Sequence, residues 1–269
     1  MFEINPKDLL GIGKIDHPHI NKPISMYRKA KSLFFIFPWA TGGSLRDYWD
    51  RENDPTNPAL VSWALAQMKG LSDGLKVLHR NHFRHCDIKP ENILRFTAGS
   101  CRGVLAISNM STVEPQGLHT QARAFVAGTK IWTPQYGPPE ASKGILDRAR
   151  SRAYDVWSMG CVFLEFSIWL LYGKRGLIEF HETSNFEPYW EALDNEFRVR
   201  SFVGDWISKM IHDPSTHPAI REVLELIQER LLVVRLNGLS PTKGLSPTKG
   251  HRADATELSD AMSRIRMRG

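Results

Sequence analysis

His85-Cys86-Asp87-Ile88-Lys89-Pro90-Glu91-Asn92-Ile93-Leu94 is the stretch whose reading decides the fold. It sets a carboxylate, an ammonium and an amide at fixed offsets, Asp87, Lys89 and Asn92, between a helix-patterned run and two apolar residues. A carboxylate can accept the proton of an attacking hydroxyl, a lysine can neutralise a phosphoryl group in transit, and an amide oxygen can ligate Mg²⁺.

Working outward, Asn57-Pro58 reads as an N-cap followed by proline in the first turn. Leu60, Ala64, Met68, Leu71, Leu75 and Leu78 then recur every three or four residues, which predicts one amphipathic helix to about His79. Further upstream, residues 24–27 and 33–37 are apolar runs with strand character. Pro38-Trp39-Ala40-Thr41-Gly42-Gly43 breaks the second, and Ser44 suits the N-cap of a short helix to about Trp49. Residues 6–15 have rough helical spacing, weakened by Gly11 and Gly13.

Downstream, residues 104–107 read as a strand and 108–140 as a polar, turn-rich loop. Residues 154–172 form a very apolar helix, with several helices expected up to Val234. Residues 238–249 repeat Gly-Leu-Ser-Pro-Thr-Lys twice, a composition suited to a flexible surface loop, and a last helix is expected over 253–266. Strands first and helices afterwards suggest a small sheet attached to a larger helical body.

Composition narrows the class. The 269 residues are 42% hydrophobic and 24% charged, which is globular, and the net charge of +6 is scattered rather than gathered on one face as a nucleic-acid binder would have it. The three cysteines, Cys86, Cys101 and Cys161, lack metal-site or disulfide-framework spacing, so a reducing, intracellular setting in cytoplasm or nucleus is expected. The N-terminus has no apolar leader core. Residues 156–172 fall short of a membrane span and contain Glu165, so a buried core helix is the expectation.

The ten-residue stretch resembles the catalytic loop of the eukaryotic protein kinases, H-R-D-L-K-x-x-N, with Cys86 in place of the arginine. Its Lys-Pro-Glu-Asn wording is similar to the serine/threonine branch. The resemblance implies Asp87 as catalytic base, Lys89 on the moving phosphate and Asn92 on Mg²⁺. Phe34 to Ala40 look like the fifth strand and hinge of that family. Phe37 then takes the gatekeeper place, the Pro38 carbonyl and Ala40 N–H would meet adenine, and Leu94 would form the floor beneath it. Asn109-Met110-Ser111 stands where the family has D-F-G, making Asn109 the second metal-site residue without its negative charge.

The resemblance continues with Gly128-Thr129 and Tyr136-Gly137-Pro138-Pro139-Glu140, similar to the end of the activation segment, although the spacing from Thr129 to Tyr136 is about four residues longer than usual. Asp155 to Cys161 looks like the central buried helix, whose aspartate anchors the catalytic-loop backbone, and Arg252 looks like the partner of Glu140.

No glycine-rich loop with a strand lysine occurs in the 269 residues, and the place of the family's helix glutamate falls near Asp8. The expected fold is therefore α+β and kinase-like, with a truncated N-lobe remnant over 1–40 and a nearly complete helical C-lobe over 41–269, the repeat loop at 238–250 included. ATP and Mg²⁺ are the implied cofactors and a protein substrate or docking protein the implied partner, with no nucleic acid, no membrane and a monomeric state. The expected activity is serine/threonine kinase chemistry, absent or very weak in this chain. The alternatives are a pseudokinase acting as an interaction module, and an active kinase whose first segment is missing from the reading frame.

Overall fold

The computed structural model describes residues 13–29, 32–52, 58–97, 102–109, 114–115, 133–141, 152–194, 196–234 and 250–266. The expectations for residues 6–12, Met110-Ser111, Gly128-Thr129 and the 238–249 repeat lie outside them.

The first element is a hairpin, β1 (Ser25–Lys29) against β2 (Ser32–Ile36), antiparallel with Tyr27 opposite Phe34. Helix α1 (Leu45–Arg51) starts where expected. The Ser44 hydroxyl accepts the Asp47 N–H at 3.1 Å and the Asp47 carboxylate accepts the Ser44 N–H at 2.8 Å, a reciprocal capping box. Just before it, Gly43 adopts φ 73°, and the Gly42 N–H and Gly43 carbonyl pair with Arg95. Only a residue without Cβ turns there at no cost while lying against another backbone.

Helix α2 (Pro58–Arg80) fulfils the periodicity, with Leu60, Ala64, Met68, Leu71, Leu75 and Leu78 all buried. It leads through β3 (Phe83–Arg84) into the ten-residue stretch, whose Pro90–Asn92 form a 3₁₀ turn before β4 (Ile93–Phe96). Strand β5 (Val104–Ile107) pairs antiparallel with β4, Leu94 opposite Ala106. The other side of β5 is occupied as well: the Leu105 N–H donates to Gln67 Oε1 at 2.9 Å, and Ile107 exchanges backbone hydrogen bonds with His19 and Asn21. Within the expected loop, β6 (Glu114–Pro115) pairs with β3, and Pro134–Tyr136 and Pro139–Ala141 make short 3₁₀ turns.

The apolar helix is longer than its hydrophobic run. Helix α3 spans Arg152–Ser184 and breaks at Gly173, whose φ of 63° and ψ of −161° are non-helical. By length and composition α3 could cross a membrane, but 83% of its apolar window is buried inside the fold. Trp157, Phe163, Phe166 and Trp169 on it are fully buried, each contributing roughly 1.5–3 kcal/mol or more by burial.

A second departure follows α3. Several helices are expected up to Val234, and between them β7 (Trp190–Leu193) and β8 (Glu196–Val199) form a hairpin. It is held by Trp190 packed edge-on against Phe197 at 5.2 Å and by the Trp190 indole N–H on the Gly137 carbonyl at 2.9 Å. Helices α4 (Ser201–His212), α5 (Pro218–Leu226) and α6 (Ala255–Arg264) complete the body, α6 starting at an Asp254–Glu257 capping box and packing on α2. The described architecture is helix-rich with four small two-stranded antiparallel sheets, an α+β arrangement.

Candidate active site

The backbone of the ten-residue stretch is set by one carboxylate beneath it. Asp155, wholly buried on α3, accepts the Cys86 N–H on Oδ1 at 2.7 Å, and on Oδ2 it accepts the His85 N–H and the His79 ring, both at 2.8 Å. Burial alone would raise its carboxyl pKa, but the His79 hydrogen bond, the nearby histidines and the Cys86 amide outweigh it and hold the group below the usual carboxylate range. The turn so anchored puts Cys86 at φ 67°, a strained position for a residue with a Cβ. The Cys86 side chain is completely buried, as is that of Cys161.

His85 ties this turn to the end of β5. Its Nε2 meets the Ser108 carbonyl at 2.6 Å and its Nδ1 accepts the Asp87 N–H at 3.3 Å. Those two partners demand a neutral ring with its proton on Nε2, and burial holds the pKa of His85 below its ordinary value accordingly.

Asp87, Lys89 and Asn92 come together as the spacing implied. Asn92 Nδ2 donates to the Asp87 carbonyl at 2.7 Å and to Oδ2 at 2.8 Å, leaving Asn92 Oδ1 directed at Asn109, whose Nδ2 lies 3.3 Å away. Lys89 Nζ stands 3.6 Å from Asp87 Oδ2 and donates to the Thr133 hydroxyl at 2.7 Å. Thr133 in turn donates its hydroxyl and N–H to Asp87 Oδ1, both at 3.3 Å. A carboxylate, an ammonium and a hydroxyl thus form a closed cluster able to take up and return a proton.

The threonine in this cluster is a residue the sequence reading did not name. Thr133 lies three residues before Tyr136 in Thr133-Pro134-Gln135-Tyr136, and the expectation for Gly128-Thr129 lies outside the described residues.

Beside the cluster lies a cleft of about 750 Å³ lined by Asn21, Phe37, Pro38, Trp39, Ala40, Asp47, Glu91, Asn92, Leu94, Ser108 and Asn109 among others. It gathers Phe37, Pro38, Ala40 and Leu94, implied against adenine, with Asn92 and Asn109, implied at the metal; Asp87 and Lys89 are not part of its lining. The Pro38 carbonyl and the Ala40 N–H have no protein partner among the described residues. Trp39 at this cleft is 87% exposed. Among the described residues, Asp47 and Glu91 are the charged members of the cleft lining, and no lysine or arginine is among them.

One constellation escaped sequence reasoning altogether. Arg46 on α1 reaches Glu165 at 2.8 Å, the Tyr136 hydroxyl at 2.7 Å and Glu91 at 3.2 Å, while Glu165, fully buried, also accepts from the hydroxyls of Tyr136 at 2.9 Å and Tyr189 at 2.6 Å. Burial opposes the charge on Arg46, but Glu165, Tyr136 and Glu91 prevail and fix it as a cation. Its partners come from three separate segments, so no local spacing announces them. The pair Arg252–Glu140 was announced, and it forms as a fork at 2.5 and 3.2 Å.

Comparison with known proteins gives one consistent result. The family model described as protein kinase domain matches residues 8–229. A serine/threonine-protein kinase of Chaetomium globosum is 27% identical over 153 residues, 56% of this chain and 28% of its own length. Mitogen-activated protein kinase kinase kinase 3 of Arabidopsis thaliana is 27% identical over 220 residues, covering 78% of this chain and 31% of the relative. Aurora kinase A-A of Xenopus laevis is 28% identical over 214 residues, 78% of this chain and 47% of the relative. The chain spans between 23% and 33% of the length of the first three curated relatives it matches.

Proposed function

Because the chain belongs to the protein kinase domain family, we propose that it is a serine/threonine-type kinase domain whose 269 residues by themselves transfer phosphate very weakly or not at all. The reading is carried by Asn109. The family generally uses ATP with Mg²⁺, and a magnesium ion shared with phosphates depends on carboxylate charge. At this site Asn92 and Asn109 present two uncharged amides to each other at 3.3 Å, and both oxygens of Asp87 already receive hydrogen bonds from Thr133 and Asn92. This donor set does not fit a tightly held divalent cation. A carboxylate's charge-assisted contact is worth about 1.5–3 kcal/mol, so its loss costs one to two powers of ten in affinity.

What the chain retains is the proton-handling half of the site and the helical body that supports it. Such a body can present a docking surface for protein partners without turnover, which makes a pseudokinase role the natural function. The buried thiols Cys86 and Cys161 suit an intracellular, reducing setting. A second reading, an active kinase completed by a nucleotide clamp from outside these 269 residues, is favoured by the ordered Asp87–Lys89–Thr133 cluster.

The test is a phosphoryl-transfer assay of this chain with labelled ATP, Mg²⁺ and a generic protein acceptor. The reading expects incorporation no higher than in Asp87→Asn. Incorporation well above that control would establish the enzyme.

A further inference from the structure

The β1–β2 hairpin carries apolar surface that the fold leaves open. Tyr27 and Phe34 stand opposite each other and stack at 5.0 Å with their rings 10° apart, yet they are 48% and 42% exposed. Ile36, two residues along the same face, is 47% exposed. Beside it Ile24, whose N–H donates to the Ile36 carbonyl at 2.8 Å, is 68% exposed. Contiguous apolar surface of this kind marks an interaction site.

The two edges of the hairpin differ in kind. Strand β1 follows Pro23 and ends in Arg28-Lys29, the proline and charge that blunt an edge against pairing. Strand β2 has no such guard, since Ser32-Leu33-Phe34-Phe35-Ile36-Phe37 contains neither charge nor proline. The Ile36 carbonyl points at β1, so in the antiparallel alternation the N–H and carbonyl of Phe35 point the other way. Among the described residues, β1 is the one strand paired with β2, and no hydrogen bond reaches Phe35 from its outer side.

The segment that suits this edge is a copy of itself. Set antiparallel, Phe35 exchanges two main-chain hydrogen bonds with Phe35 of the second copy. Phe34 of each copy then falls opposite Ile36 of the other, in the closer type of cross-strand pair. The exposed faces run on into one another, and the two turns that follow Lys29 lie at opposite ends of the joint sheet, so their like charges stay apart. Slipping the register by one residue would set exposed Phe34 opposite half-buried Phe35, so the apolar pattern selects this alignment.

We propose that the outer edge of β2 is a self-association edge, at which two copies of the chain pair about Phe35 and join their hairpins into one four-stranded sheet. The pair is two-fold and closed, because each β2 edge is used up by the other. It goes beyond the kinase reading, needs no nucleotide, and replaces the monomeric state expected from the residues.

The experiment is sedimentation equilibrium of the 269-residue chain, with amide hydrogen exchange of Phe35 followed over the same concentrations. A pair of short strands is a small interface, under about 1,200 Å², so a monomer–dimer equilibrium in the micromolar range or weaker is expected. Exchange at Phe35 should slow as the dimer fills. Phe34→Lys or Ile36→Glu alone should weaken the dimer roughly three- to thirtyfold, because the altered pair occurs twice. Mixed, the two variants set the new ammonium opposite the new carboxylate, and they should associate more tightly than either does alone.

A chain that stays monomeric at about 200 μM, well above a micromolar dissociation constant, overturns the proposal and leaves the inactive reading untouched. Open-ended oligomers overturn the closed pair. A dimer whose Phe35 exchange does not depend on concentration uses another surface, as does one that neither variant weakens. The first three results come from the natural chain, so they decide even if both variants fail to fold.

Discussion

Asn109 donates its side-chain amide to the Oδ1 of Asn92 across 3.3 Å, so two neutral groups meet where a cation shared with phosphates would need negative charge. Replacing Asn109 by Asp adds that charge with little change of shape. In Asn109→Asp, Mg²⁺ should promote ATP binding by at least about tenfold relative to the natural chain, measured by calorimetry with and without the metal. Equal metal dependence in the two proteins would remove Asn109 from the explanation.

Asp155 holds two successive amides and His79 at once, so its removal leaves three buried donors without an acceptor. Asp155→Ala should lose on the order of 3–5 kcal/mol of stability in urea unfolding. Because its folded pKa lies below the unfolded value, this stabilisation is present above about pH 3.9 and is lost as pH falls through the folded pKa. A loss below about 1 kcal/mol would mean that the loop backbone is supported elsewhere.

Glu165 is buried with Arg46 as its cationic partner. Arg46→Ala should cost about 3–5 kcal/mol by stranding that carboxylate, and adding Glu165→Gln to the Arg46→Ala background should restore part of the loss. Additive losses in the cycle, read from denaturant midpoints, would show that the two side chains are not coupled.

His85 must stay neutral to accept the Asp87 N–H. Burial holds its pKa below 6.5, and burial also lowers those of His17, His19 and His181. Below about pH 6.5 the unfolded chain therefore binds more protons than the folded one, so stability falls as the solution is acidified, by up to about 1.4 kcal/mol per pH unit for each such group. Stability measured between pH 7 and pH 5 should show this slope, reduced in His85→Gln. A flat profile in the natural protein would contradict the neutral-ring assignment.

Much of this was legible in the residues. The α2 helix announced itself through Leu60 to Leu78, because burial of one stripe repeats locally. Asp155, Arg252 and the Asp87–Lys89–Asn92 set belong to short wordings with fixed offsets; Asp155 met the catalytic-loop backbone, Arg252 met Glu140, and Asp87, Lys89 and Asn92 lie side by side. Thr133 was missed because its partners Asp87 and Lys89 lie 46 and 44 residues away in the chain. The β7–β8 hairpin was missed because its stability comes from Trp190 docking on Gly137, a contact 53 residues distant. Arg46 and Asn21 act through partners 45 to 119 and 87 residues away, and nothing beside them in the chain carries that information.

The most direct test is the melting temperature of the 269-residue chain with and without Mg²⁺-ATP. A ligand held at one hundred times its dissociation constant would add about 2.7 kcal/mol, several degrees for a domain of this size. The account predicts no saturable shift at millimolar Mg²⁺-ATP. A saturable rise of several degrees, abolished in a variant with Asn92→Ala and Asn109→Ala, would contradict it.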